Sequence, residues 1–144
     1  MNDMFICDIS VFNRNGKVRL DEILEPLRVD WRELVVILVI DQVPGISQSR
    51  IIPFLQTDKA NVTKFLQSME KKGLLRRAVV KFDRRNKACH LTPKGAALAP
   101  KLREALDRWE DECFRGIDAG DRDAFRKVSA QVLHNLMKEH DREQ

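Results

Sequence analysis

The sequence predicts a mostly α-helical domain with a small β-hairpin. Apolar residues recur at helical spacing along most of the 144 residues, whereas only two short stretches, 75–81 and 87–91, have the pattern of strands. Glycine and proline number only 6 and 5, which argues against disorder. A chain of this length with 43% hydrophobic residues can bury a core without disulfide or metal support. We therefore expect one domain over residues 1–144.

The first two helices are predicted from spacing and from one cap. The first spans about 5–27, and Gly16 interrupts its pattern, so that a break or kink is expected there. Asp30, with Glu33 three residues later, forms a capping box that opens the second helix. Periodicity alone leaves the β-branched run 34–40 open to a buried strand, and only the cap and flanks favour a helix.

Two further helices follow a turn. Ser47 is the expected cap of a short third helix, which Pro53 should shorten or distort. Thr57 or Asp58 caps a fourth helix that ends near Lys72. The apolar stripe of the fourth helix consists of Val62, Phe65, Leu66 and Met69.

A hairpin and two long helices complete the chain. The polar tip of the hairpin is expected at residues 83–86, between the two strands. Thr92 and Pro93 then start a fifth helix that reaches about residue 117. The last helix carries one apolar stripe, made of Phe125, Val128, Val132 and Leu136.

Charge is concentrated in the middle of the chain. Residues 58–95 have a net charge of +8, whereas residues 1–57 and 96–144 each have −2. Two helices, a turn, a helix and a hairpin are the layout of a winged helix-turn-helix, in which the helix before the hairpin enters the major groove of DNA. That helix and the hairpin both lie in the basic segment, so order and charge both indicate a nucleic-acid partner.

Five short motifs resemble the MarR family of transcriptional regulators in their order and spacing. They are Ile46-Ser47-Gln48, the segment 58–64, Glu70-Lys71-Lys72-Gly73-Leu74, Asp83-Arg84-Arg85, and Leu91-Thr92-Pro93-Lys94-Gly95. The last two are similar to the family's D-x-R and L-T-x-x-G wing signature. The chain departs from the family at Gln56, where glycine is frequent, and at Pro53 inside the third helix.

The resemblance implies a homodimer held by terminal helices and bound to a pseudo-palindromic operator of double-stranded DNA. It divides the chain into a winged helix-turn-helix at about 30–95 and a helical dimerisation region at about 1–29 and 96–144. Phe125, Val128, Val132 and Leu136 are the expected dimer contacts. Where a family member has a small-molecule effector, the family places it near the junction of the two regions.

Position by position, the resemblance also implies DNA contacts. Asn61, Thr63 and Lys64 match recognition-helix residues that face DNA, and Lys59 and Ser47 match positions beside phosphates. Short amide and hydroxyl side chains can reach base edges, while lysines neutralise phosphates. The alternative for each single residue is an ordinary solvated helix face.

In the wing, Arg84 and Arg85 are the expected DNA ligands. The family's arginine at the position of Arg85 enters the minor groove, and Asp83 can orient it through a charge-assisted hydrogen bond. A turn held by Asp83 and the arginines, with no ligand, is the alternative interpretation.

The three cysteines are widely spaced and form no CxxC pair, which favours a reducing, cytoplasmic setting. Cys7 lies near the position of the reactive thiol in an oxidant-sensing branch of the family, but the chain has no tyrosine to partner it, and a plain packed thiol is the favoured interpretation. Cys89 is expected to be buried behind the wing, and Cys113 to lie in the core or the dimer interface. The longest apolar run, 34–40, is too short to span a membrane.

Other function classes find less support. No metal-ligand spacing, phosphate loop or nucleophile motif is present, so we expect no metal, no cofactor and no enzymatic activity. A winged-helix module that binds proteins and no DNA is the alternative function. The aromatic residues Trp31, Trp109, Phe5 and Phe12 could line an effector cavity or simply form core.

Overall fold

The computed structural model describes residues 3–81 and 83–143, without the side chains of Arg84, Arg85 and residues 138–143. The helices are α1 (Phe5–Leu24), α2 (Trp31–Gln42), α3 (Gln48–Ile51), α4 (Lys59–Lys71), α5 (Pro93–Cys113) and α6 (Ala119–Glu143), and the strands are β1 (Leu75–Val80) and β2 (Asp83–Leu91). The strands form one antiparallel hairpin. The predicted fold class, mostly helical with a β-hairpin wing, is confirmed. The chain divides into two compact units, residues 1–109 and 110–144.

Helix α1 runs without a break through Gly16, so the predicted interruption is wrong. A side chain at Gly16 would lie 3.3 Å from the ring of Trp109, whose indole N–H donates a 2.8 Å hydrogen bond to the Gly16 carbonyl. Glycine is present here because an aromatic ring packs closely against the helix. After Leu24 the chain makes a short 3₁₀ turn, residues 25–27.

Helix α2 begins with the predicted capping box. The Asp30 carboxylate accepts from the Glu33 backbone N–H at 2.9 Å, and the Glu33 carboxylate accepts from the Asp30 N–H at 3.3 Å. The β-branched run that follows is helical, with Val36 and Ile37 fully buried. Burial on most sides explains why periodicity alone did not separate helix from strand.

Helix α3 is short, as the proline predicts. It ends at Ile51 and continues as a 3₁₀ turn over Ile52–Phe54. Pro53 has no N–H to continue the α-helical hydrogen bonds. Ser47 occupies the cap position, but its hydroxyl lies 3.2 Å from the Ser49 hydroxyl and makes no capping bond, so the predicted role of that side chain is wrong.

Helix α4 is capped by Asp58, whose carboxylate accepts from the Asn61 backbone N–H at 2.8 Å. Of the predicted apolar stripe, Val62, Leu66 and Met69 are fully buried, and Phe65 packs partly buried against the same core. The opposite face of α4 is therefore left to solvent.

The hairpin turn is shorter than predicted. Val80 pairs with Asp83 after a shift in the strand register between Ala78 and Val80, so residues 83–86, the predicted tip, belong to β2. Polar side chains can point to solvent from a strand as well as from a loop, so their composition did not fix the turn.

Helix α5 starts as predicted, with the Thr92 hydroxyl accepting from the Gly95 N–H at 3.1 Å. The same hydroxyl donates to the Gly73 carbonyl at 2.5 Å, which joins the start of α5 to the end of α4. Gly95 lies against the Leu74 carbonyl, which an added Cβ would meet at 2.1 Å. The helix ends at Cys113, before the predicted end near residue 117.

The apolar stripe of α6 is largely exposed. Phe125, Val128 and Leu136 expose 49%, 62% and 62% of their surface, and Val132 is half-buried. Within its own unit, Phe125 contacts the Phe114 ring edge-on at 5.4 Å. None of the helices in the described ranges is both long enough and apolar enough to cross a membrane.

We predict that Gly95→Ala lowers the free energy of unfolding by about 1–3 kcal/mol, because its methyl group would overlap backbone that cannot move aside. Urea denaturation followed by circular dichroism measures the change. Gly120→Ala is the control, since its methyl group would meet only the end of the Asp118 side chain, at 3.3 Å. Equal stability of Gly95→Ala and the parent protein would contradict this account of Gly95.

Candidate nucleic-acid interface

A buried chain of hydrogen bonds joins α3, α4 and β1. Gln48 is only 5% exposed, and its amide N–H donates to the Thr63 hydroxyl at 2.7 Å. Its carbonyl oxygen accepts from the Arg77 guanidinium at 3.0 Å, and Arg77 pairs with Glu70 at 2.7 Å. We call Thr63, Gln48, Arg77 and Glu70 the Gln48 network. It fixes the orientation of α4 against both α3 and the wing.

Sequence reasoning missed the roles of Gln48, Arg77 and Glu70. One signal was available for Arg77, since it shares strand parity with Leu75, which is buried, and is paired in register with Cys89. An arginine at that position needs an internal partner because its charge is buried. No comparable local signal marks Gln48.

Thr63 uses its hydroxyl inside the protein. The hydroxyl donates to the Lys59 carbonyl at 3.0 Å and accepts from Gln48, and the residue is half-buried. Its prominent structural role is therefore to hold α4 in place. A direct contact between Thr63 and a base stays a prediction.

The wing is bound to the segment before α3. The Gly45 N–H donates to the Cys89 carbonyl and the Cys89 N–H donates to the Ile46 carbonyl, both at 2.9 Å. The Ser49 N–H donates to the Asn86 side chain at 3.0 Å. Ser47 is half-buried between these contacts. The start of α3 and strand β2 thus form one continuous hydrogen-bonded surface.

Three predicted DNA ligands are exposed on α4, namely Lys59, Asn61 and Lys64. The amide N–H groups of Asn61 donate to Thr57 and Asp58, at 3.1 and 3.3 Å, while its carbonyl oxygen accepts no hydrogen bond within the described residues. Within the described residues, the ammonium group of neither lysine donates a hydrogen bond. Both ammonium groups are therefore available to an external anion.

A groove runs between α3, α4 and the start of β2. Its lining residues are Gln48, Ser49, Ile52, Lys59, Asp83 and Asn86. Asp83 is exposed at the first position of β2. The side chains of Arg84 and Arg85 lie outside the described residues, so their roles and the support predicted from Asp83 stay predictions.

Part of the basic charge of residues 58–95 is used internally. Besides Arg77, Lys72 pairs with the buried carboxylate of Glu33 at 2.8 Å, and Lys94 donates to the Lys72 carbonyl at 2.9 Å. The exposed cations of this segment with described side chains are Lys59, Lys64, Lys71, Lys72, Arg76, Lys81 and Lys94. The external charge is therefore smaller than the segment's composition indicates, but its sign is the same.

The cysteines have three different environments. Cys89 is fully buried, as predicted, and burial raises the pKa of its thiol to about 11, with Arg77 opposing and Glu70 reinforcing the shift. Cys113 is exposed, so its interpretation as a core residue is wrong, whereas a dimer contact stays a prediction. Partial desolvation and the carboxylates of Glu110 and Glu112 raise the pKa of Cys113. Cys7 is half-buried.

A metal centre would need several acidic, cysteine or histidine side chains close together. The described parts of the chain contain no group of three or more such residues with that geometry.

We predict that Gln48→Leu lowers the free energy of unfolding by about 1–3 kcal/mol, because Arg77 and Thr63 each lose a buried partner. Chemical denaturation monitored by tryptophan fluorescence measures the change. Gln42→Leu is the matched control, because Gln42 is exposed and its side chain makes no hydrogen bond within the described residues. The Gln48 network is not a stability determinant if both variants unfold at the parent's denaturant midpoint.

Comparison with known proteins places the fold. Residues 29–87 match the MarR family model. The crystal structure of MarR is 24% identical, with 97% of each chain covered and a TM-score of 0.85. A MarR transcriptional regulator from Methanosarcina mazei is 22% identical, with 95% of this chain and 99% of that chain covered and a TM-score of 0.85. A putative MarR family transcriptional regulator from Listeria monocytogenes, complexed with 26mer DNA, is 20% identical, with coverages of 96% and 92% and a TM-score of 0.83. Residues 29–87 therefore resemble the MarR family domain, and the chain as a whole has the fold of these solved structures.

Proposed function

We propose that this chain is a transcriptional regulator that binds double-stranded DNA through α4 and the wing. The observation that carries the proposal is the outward face of α4. The ammonium groups of Lys59 and Lys64 are exposed there and donate no hydrogen bond within the described residues, and Lys59 lines the groove beside the start of β2. Held by the Gln48 network, this face is rigid enough to enter a major groove in one orientation. The Listeria monocytogenes structure with 26mer DNA supports the use of this fold for the same purpose.

The residues divide by chemistry into two groups. Asn61, Thr63 and Lys64 are assigned to the face that meets the DNA, where amide and hydroxyl groups can recognise base edges in the major groove and an ammonium group can neutralise a phosphate. Lys59 and Ser47 are assigned to phosphates. In the wing, Arg84 and Arg85 are assigned to the minor groove, and Asp83 to orienting them.

The functional unit in this proposal is a homodimer that binds a pseudo-palindromic operator, one half-site for each subunit. Two exposed apolar faces support it, and each lies in a different compact unit. On α1 the face consists of Phe5, Ile9 and Phe12, which are 40–59% exposed, and on α6 it consists of the stripe from Phe125 to Leu136. Exposed large side chains at helical spacing favour burial against a second chain.

We expect duplex binding that weakens steeply with salt, with a log-log slope of about −0.9 for each phosphate contacted. Selection of bound duplexes from a random pool identifies the cognate sequence, and fluorescence anisotropy then gives affinities for cognate and scrambled duplexes. Absence of binding at low salt would leave the protein-binding module as the better function.

Asn61→Ala should weaken cognate binding by about 1–3 kcal/mol and leave scrambled duplexes nearly unaffected, because Asn61 is assigned to a base edge. Asn135→Ala, an exposed asparagine on α6 that also hydrogen-bonds within its helix, is the control. If Asn61→Ala reduces the affinity for cognate and scrambled duplexes equally, Asn61 does not contact a base.

Val132→Asp should dissociate the dimer, because an unpaired carboxylate in an apolar interface costs several kcal/mol. Sedimentation velocity at micromolar concentration measures the oligomeric state. Ala130→Asp places the same charge on the opposite, exposed side of α6 and should leave the dimer intact. A parent protein that sediments as a monomer would refute the interface.

A further inference from the structure

A second concave site lies on the flank of α4 and includes an arginine from α2. Its lining residues are Arg32, Leu55, Thr57, Asn61, Lys64 and Phe65. Asn61 and Lys64 already belong to the proposed DNA-binding face, whereas Arg32 lies on α2 and has no part in that face as assigned from the family. The site therefore extends the face toward the N-terminal end of α2.

Arg32 is held in a defined position by an aromatic ring. Its guanidinium carbon lies 4.7 Å from the centre of the Phe65 ring, a cation–π arrangement that links α2 to α4. One guanidinium nitrogen lies 3.4 Å from a carboxylate oxygen of Asp30, and the side chain remains 45% exposed. The other N–H donors of Arg32 make no hydrogen bond within the described residues.

The carboxylates near this site are both occupied as helix caps. Asp30 accepts the Glu33 backbone N–H, and Asp58 accepts the Asn61 backbone N–H. These hydrogen bonds use one oxygen of each carboxylate, while the second oxygen of Asp30 lies 3.4 Å from Arg32 and the second oxygen of Asp58 accepts from the Asn61 side chain at 3.3 Å. Two cations, on Arg32 and Lys64, thus share an open groove with the Thr57 hydroxyl.

We propose that Arg32 and Lys64 together bind one phosphate of the DNA backbone at the edge of the major groove. The inference rests on the proposed function and extends it, because α2 becomes a third DNA-contacting element beside α4 and the wing. A planar guanidinium presents paired N–H donors that fit phosphate oxygens, and stacking on Phe65 limits the conformational entropy that binding would otherwise cost. A phosphate contact fixes the position of α4 on the duplex without reading sequence.

The test compares Arg32→Gln with a matched arginine variant on the selected cognate duplex. Arg103 is the control, because it is also 45% exposed and also pairs with a single aspartate, Asp41. Affinities for cognate and scrambled duplexes are measured over a series of salt concentrations. Arg32→Gln should weaken binding to both duplexes by a similar factor and make the salt slope shallower by about 0.9 for each cationic phosphate contact that is lost, hence about 1.8 for a dimer. Arg103→Gln should have the parent's slope.

Arg32→Met keeps an apolar stem over Phe65 and removes the charge, so it should show the same change in slope as Arg32→Gln if both fold. Arg32→Lys keeps the charge and should retain the parent's slope with weaker binding. At equal ionic strength, inorganic phosphate should displace DNA from the parent protein no better than from Arg32→Gln, because the contact requires the DNA backbone. If phosphate displaces DNA preferentially from the parent protein, the site binds free phosphate.

If Arg32→Gln and Arg32→Met both retain the salt slope of the parent protein, this inference is wrong and the proposed function is unaffected. A parent protein that binds no duplex at low salt would overturn the proposed function itself, and this inference with it. The two failures are thus distinguishable.

Discussion

The orientation of α4 depends on one buried amide. Gln48 is the link through which α3 holds Thr63 on α4 and Arg77 on β1, and Arg77 in turn holds Glu70 near the end of α4. A buried polar chain of this kind is favourable only when every member is satisfied, since an unpaired amide or guanidinium in the interior costs more than the hydrogen bond contributes. Small rotations of α4 would break several bonds together. The network therefore favours a single orientation of the proposed recognition helix.

The internal hydrogen bonds and ion pairs determine which polar and charged side chains are available to bind a ligand. The Thr63 hydroxyl makes two internal hydrogen bonds, Arg77 is paired with Glu70, and Lys72 is paired with buried Glu33. The side chains of Lys59 and Lys64 are exposed, and their ammonium groups donate no hydrogen bond within the described part of the chain. A count of basic residues along the chain therefore overstates the external charge, although it locates the basic surface correctly. Helix α4 therefore packs firmly against the core with one face and presents exposed polar side chains on the other.

Local signals in the sequence were sufficient for most of the fold. The Asp30 and Asp58 caps and the restart at Thr92 depend on residues within three positions of one another, so they could be predicted and are confirmed. Other features depend on distant residues. Gly16 does not break α1 because Trp109 packs on it, and β2 extends through residues 83–86 because it pairs with β1 after a shift in the strand register. Neither partner is visible in a local pattern.

The candidate site shows the same division between local and distant causes. The exposure of Lys59, Asn61 and Lys64 follows from the amphipathic spacing of α4, and their assignment to DNA follows from the resemblance to the MarR family. The roles of Gln48 and Arg32 could not be predicted from the sequence, because they depend on neighbours in other elements. These neighbours are Thr63 and Arg77 for Gln48, and Phe65 for Arg32.

Gln56 shows how a departure from the family pattern is accommodated. Its φ is +55°, a left-handed conformation that costs a residue other than glycine roughly 1–2 kcal/mol. The side chain that glycine lacks accepts a 2.5 Å hydrogen bond from the Lys17 ammonium, which also lies 3.7 Å from the centre of the Trp31 ring. Desolvation there lowers the pKa of Lys17. The strained residue thus ties α1, which carries one of the exposed apolar faces, to the loop that leads into α4. A shift of α1 would act on that loop through a specific hydrogen bond as well as through the packing of the core.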